Sequence, residues 1–101
     1  MNSKFPKAIE IQSIPVEIRN KNDKYIIFCP PLKSIGYSSE SIEDAINDLI
    51  SNMTIMFDLY IEDHKLEELV DKIANYKTQY LSGNISTNYP IHLITFTYYI
   101  K

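Results

Sequence analysis

No glycine or proline lies between Ile42 and Ser82, and that stretch limits what the chain can become. Without the usual stops it reads as one helix, or as two divided by polar residues. Ile42, Ala45, Ile46, Leu49, Ile50, Met53, Met56, Phe57 and Tyr60 recur at three- and four-residue steps. That spacing makes one apolar helix face, to be laid on a sheet. The Ser41 hydroxyl can accept from the backbone N–H of Asp44, and the Asp44 carboxylate can reach back, a weaker form of the Ser-x-x-Glu capping box. Ile55 and Leu59 add a second stripe to the later turns.

Beyond Tyr60 two readings compete. Leu59, Leu66, Ile73 and Tyr80 stand at seven-residue spacing, which fits one long helix with a coiled-coil seam. The first stripe, continued, would instead land on His64, Glu67, Glu68 and Asp71, and helices so long are uncommon. A break at residues 62–64 is therefore expected. Asp63 is placed to cap a second helix over residues 64–81, with Leu66, Leu69, Val70, Ile73, Tyr80 and Leu81 as its apolar face. Gly83 supplies a left-handed stop.

The flanking segments read as strands. Residues 8–19 alternate through Ile9, Ile11, Val16 and Ile18, with Pro15 marking an edge, a bulge or a break. Asn20-Lys21-Asn22-Asp23 is turn chemistry, joining that strand to Tyr25-Ile26-Ile27-Phe28-Cys29 as a hairpin. This second run is apolar throughout, as a strand buried on both faces would be, and Pro30-Pro31 ends it. Residues 35–38 form a short third strand, completing an antiparallel meander. After a Ser/Thr/Asn loop comes Ile91–Ile100, with Ile91, Leu93 and Tyr99 on one face and Ile94, Phe96, Tyr98 and Ile100 on the other. It is expected to be a central strand, or one shared with another subunit. The first six residues are expected to be loosely held.

A chain of 101 residues supports one domain, and its 45% hydrophobic content suits a globular core. The net charge is −3 and the basic residues are scattered, so the basic stripe of a nucleic-acid binder is missing. A lone Cys29 rules out an internal disulfide, and with only His64 and His92 beside it a zinc site is not expected. No apolar run approaches membrane-spanning length, and Met1-Asn2-Ser3-Lys4-Phe5-Pro6 lacks the apolar core of a signal peptide. These features place the chain in the cytoplasm, with no membrane and no cofactor. Tyr76, Tyr80, Tyr89, Tyr98 and Tyr99 suit an interface or the rim of an ordinary core.

No stretch carries a catalytic signature. Cys29 lies in an apolar strand, where a small buried hydrophobe is the default, and no third residue orients a Cys–His pair. Gly36 and Gly83 read as isolated turn residues, so no phosphate-cradling loop is expected. Glu40, Glu43, Asp44 and Asp48, followed later by Asp58, gather along the first helix. Such carboxylates are favoured there by the helix dipole as a solvated face. They also suit a docking face for a basic partner, whereas helix carboxylates alone rarely close a metal site.

Asp23-Lys24-Tyr25-Ile26-Ile27-Phe28-Cys29-Pro30-Pro31-Leu32 followed by Ser41-Ile42-Glu43-Asp44-Ala45 resembles the HicB-like antitoxin domain of type II toxin–antitoxin systems. The likeness spans residues 16–57. Lys24 stands where the family has glycine, Pro31 where an acid precedes the leucine, and Ser39-Glu40 where Gly-Asp is common. The resemblance implies an α+β, partial RNase H-like fold of order β-β-β-α-α-β. Three antiparallel strands would be followed by a helix and a returning fourth strand, parallel to the first. Residues 61–90 would be a helical insertion in a single domain. RNase H chemistry needs gathered carboxylates, and the strands offer only Glu10 and Glu17.

The resemblance implies a non-enzymatic module that masks a small basic ribonuclease toxin. The alternative is a phage or mobile-element protein inhibiting another host factor from the same scaffold. The family's C-terminal DNA-binding module is not expected here, because the chain ends in a strand. Tyr37, Glu40, Glu43 and Asp48 are the expected partner-binding residues. Homo-oligomerisation is expected through Ile91–Ile100 and the second helix.

Overall fold

The first strand is longer than its alternation suggests, because a bulge lets it run on past its own irregularity. In the computed structural model, which describes residues 7–100, β1 spans Lys7–Lys21. Its register against the last strand shifts between Ile11 and Ile14, where Ser13 takes a φ of 56°. Asn22 and Asp23, both at positive φ, turn the chain into β2, Lys24–Cys29. β3, Ser34–Ser38, completes the meander. Two helices follow, α1 at Ile42–Glu62 and α2 at Leu66–Leu81, and then β4 at Ile91–Ile100. The fold is α+β, one four-stranded antiparallel sheet of order β3-β2-β1-β4 with two helices. The expectation for the first six residues lies outside this range.

β4 lies beside β1 as expected, but antiparallel and not parallel. One crossing helix would have returned the chain parallel, and α2 reverses it once more. Ile61 and Leu66, on either side of the interhelical turn, lie near Ile100, and further along α2 Lys77 donates to the carbonyl of Gln12. The chain thus enters β4 at the Glu17 end, with Ile91 opposite Glu17 and Ile100 opposite Lys7.

Pro15 breaks no ladder. Ile18 donates to the carbonyl of Pro90, so even-numbered residues on this side of the bulge face β4 and Pro15 faces the β2 side. Pairing with β2 begins only at Glu17, so the N–H that proline lacks would have met no strand. Further along, β1 and β4 continue as a ribbon, and α2 packs against β1.

Both helices sit on one face of the sheet. The core between them holds Ile14, Val16, Ile27, Cys29, Leu32, Ala45, Leu49, Met53, Phe57, Leu69, Ile73, Ile94, Phe96 and Tyr98. β2 is therefore buried on one face only, with Ile27 and Cys29 inside and Ile26 and Phe28 half-buried on the other side. Ile42 and Leu81, expected on the buried helix faces, are exposed at the helix ends. Leu49 and Met53 are fully buried, and truncating either to alanine is expected to cost about 2–5 kcal/mol in urea unfolding.

The cap of α1 forms in part: the Ser41 hydroxyl accepts from Asp44 N at 3.0 Å. The reciprocal bond from Ser41 N goes to the Ser38 hydroxyl, not to the Asp44 carboxylate. The break between helices falls where expected. Asp63, however, is the C-cap of α1, His64 makes the turn at φ 58°, and α2 starts after Lys65 without a side-chain cap. At its other end Gly83 has φ 75°, with Gly83 N bonded to Tyr80 O and Asn84 N to Gln79 O. These two bonds are the Schellman pattern.

Gly36 is not a turn residue. It lies buried in the middle of β3, where α1 crosses so closely that a Cβ would stand 2.1 Å from the Ala45 carbonyl and 2.5 Å from Leu49 N. Glycine is what allows the helix to touch the strand.

Candidate partner-binding site

The edge of β3 and the start of α1 bring the expected site residues together. Every second residue of an edge strand points its backbone groups away from the sheet. On β3 those groups are met from α1: Tyr37 N donates to Asp48 Oδ2 at 2.9 Å, and Asn52 Nδ2 donates to Ile35 O at 2.7 Å. Asp48 and Asn52 are one helical turn apart, so one helix flank covers one strand edge. Tyr37 projects from the opposite sheet face and is 47% exposed. Glu40, Glu43 and Asp44 are exposed around the cap, and Glu40 N donates to the Ser38 hydroxyl.

Asp48 is thus structural as well as acidic. Asp58 is likewise engaged, accepting the Tyr98 hydroxyl, whereas Glu40, Glu43 and Asp44 are exposed at this corner with no side-chain hydrogen bond or ion pair from their carboxylates among the described residues. Glu10 accepts from Gln12, and Glu17 pairs with Arg19 at 2.7 Å. Among the described residues, no group of three or more His, Cys, Asp or Glu comes together to hold a metal ion.

A second arrangement, absent from the sequence reading, lies on the sheet face that no helix covers. Ile35, Phe28, Glu17 and Ile91 are directly opposite one another across the four strands. Arg19 reaches Glu17 and lies 4.9 Å from the Phe28 ring centroid and 4.4 Å from that of Tyr89. Glu17 and Arg19 are two apart in a strand, which puts both on one face, and that spacing was the available signal. The Tyr89 contact joins a loop to the sheet and has no local signature.

Cys29 lies fully buried in the core. Burial pushes its thiol from 9.0 up to about 12, against a smaller opposing hydrogen bond from the Leu32 backbone. His64 and His92 are both exposed. Tyr98 is also raised, first by its hydrogen bond to Asp58 and then by burial. Both groups bind their protons more tightly when folded, so their contribution is complete below the unfolded values and is lost as pH rises. Unfolding midpoints should therefore hold up to about pH 9 and fall toward pH 12, with a shallower fall in Cys29→Ala and in Tyr98→Phe.

Comparison with family models, with curated proteins and with solved structures finds no match. No helix among the described residues is long and apolar enough to cross a membrane.

Proposed function

We propose that this chain is a non-enzymatic protein-binding module of HicB-like build, which masks a small basic ribonuclease with the corner formed by β3 and the start of α1. The supporting observation is the exposed Tyr37 at the β3 edge, whose backbone N–H is bonded to Asp48, with the exposed Glu40 and Glu43 following at the turn and helix start. An aromatic anchor with an acidic surround suits a cationic partner: the ring contributes desolvated contact area, while the carboxylates steer encounter.

The probe is the double change Glu40→Lys with Glu43→Lys, which leaves the Asp48 bond and the Ser41 cap in place. Thermal stability should move by less than about 1 kcal/mol, the range of charge effects at a helix start. Calorimetric titration against a basic ribonuclease encoded beside this chain should show binding weakened tenfold or more, about 1.4 kcal/mol, with a flatter salt dependence. Unchanged affinity would remove this corner from the interface. Asp48→Lys is expected to weaken folding as well as binding, because Tyr37 N would lose its acceptor.

A further inference from the structure

The two edges of the sheet are treated differently. The β3 edge is occupied by Asp48 and Asn52. The β4 edge carries no such cover: among the described residues, no side chain hydrogen-bonds to its outward backbone groups. Alternation from the Ile18–Pro90 bond assigns those outward groups to Leu93, Thr95, Thr97 and Tyr99. Edges are normally blunted by charge, proline, a bulge or short length. β4 has ten residues, with no Asp, Glu, Lys, Arg or Pro among them, and its bulge lies on β1.

The strand is also its own complement. Counted outward from Phe96, Thr95 matches Thr97, Ile94 matches Tyr98, Leu93 matches Tyr99 and His92 matches Ile100. Leu93 and Tyr99, at 50% and 63% exposure, lie on the uncovered face at equal distances from that centre.

We infer that two copies of this chain join edge to edge through β4, antiparallel about a twofold axis at Phe96, making one continuous eight-stranded sheet. Thr95 of each copy then exchanges backbone hydrogen bonds with Thr97 of the other, and each Leu93 packs against the opposite Tyr99. Threonine pairs and aromatic–aliphatic pairs are favourable cross-strand neighbours. The occupant is a second copy because the strand is uncharged and pairs with itself about Phe96, Thr95 with Thr97 and Leu93 with Tyr99. Two net-negative chains can meet here without opposing charges of one sign. The twofold pairing uses the same outward groups of β4 on both copies and closes on itself, so assembly stops at two. This inference stands independently of the masking role.

Light scattering of the full chain at about 100 μM should give twice the 11.8 kDa chain mass, falling toward that mass on dilution. Thr97→Pro removes an outward N–H without touching the β1 ladder, and should give a folded monomer. Thr95→Lys with Thr97→Lys sets like charges against each other across the pair, and should do the same should the proline variant not fold. In the wild type, amide exchange at Thr95, Thr97 and Tyr99 should be slow at high concentration and fast at low. A wild-type monomer at the higher concentration, an assembly larger than two, or a dimer that survives the double lysine change would each overturn the inference.

Discussion

Gly36→Ala is expected to destabilise the protein by about 3 kcal/mol or more, the upper end of overpacking costs. The added atom itself is the obstacle: it would stand 2.1 Å from the Ala45 carbonyl, 2.5 Å from Leu49 N and 2.6 Å from Leu49 Cβ. Two of those are helix backbone, so no rotamer change relieves them and α1 must lift from β3. The bonds from Tyr37 N to Asp48 and from Asn52 to Ile35 O would be drawn apart with it. Gly83→Ala offers the contrast, since a Cβ there meets nothing within 4 Å and only the φ of 75° opposes it. That strain costs about 1–2 kcal/mol. Urea unfolding of the two variants separates a packing glycine from a conformational one, and equal small losses would contradict the close approach.

Phe57→Ala should cost about 3–5 kcal/mol. Phe57 is fully buried where α1 crosses to β4, with its ring 4.8 Å from Phe96 and 5.3 Å from Tyr98 between centroids. Both pairs are tilted, an arrangement that adds to simple burial. Removing the ring leaves a cavity between helix and sheet beside the Tyr98–Asp58 bond. Phe57→Leu should recover more than half of the loss, because the volume is largely restored. A loss below about 1 kcal/mol for the alanine variant, read from the urea midpoint, would place the core elsewhere.

Helices and strands were legible because their signals are local. The i, i+4 series Ala45, Leu49, Met53, Phe57 is the buried line of α1, and alternation set Ile94, Phe96 and Tyr98 on a common face of β4, the one the structure buries. The interhelical break was legible from where the apolar stripe would have landed. What escaped depends on partners distant in the chain. Gly36 looks like any turn glycine until α1 is laid across it, and Asp48 looks solvated until the β3 edge is seen beside it. The direction of β4 turned on whether one helix or two carried the return. Apolar residues on both faces of β2 and β4 suggested full burial, yet both helices lie on one side and the other face stays open. The Tyr37 to Asp48 corner joins residues close in the sequence, so its members could be named together before the fold was seen. The Arg19 cluster needed Tyr89 from a distant loop, so it was not.

We propose that opposite edges of one sheet do different work, the β3–α1 corner meeting a basic partner and β4 a second copy. Amide hydrogen exchange measured on the complex with that partner, at a protein concentration where the dimer is fully formed, tests this most directly. Binding should slow exchange from Tyr37 through Asp48 and leave Thr95, Thr97 and Tyr99 unchanged. Slowed exchange along β4, with residues 37–48 unaltered, would contradict it.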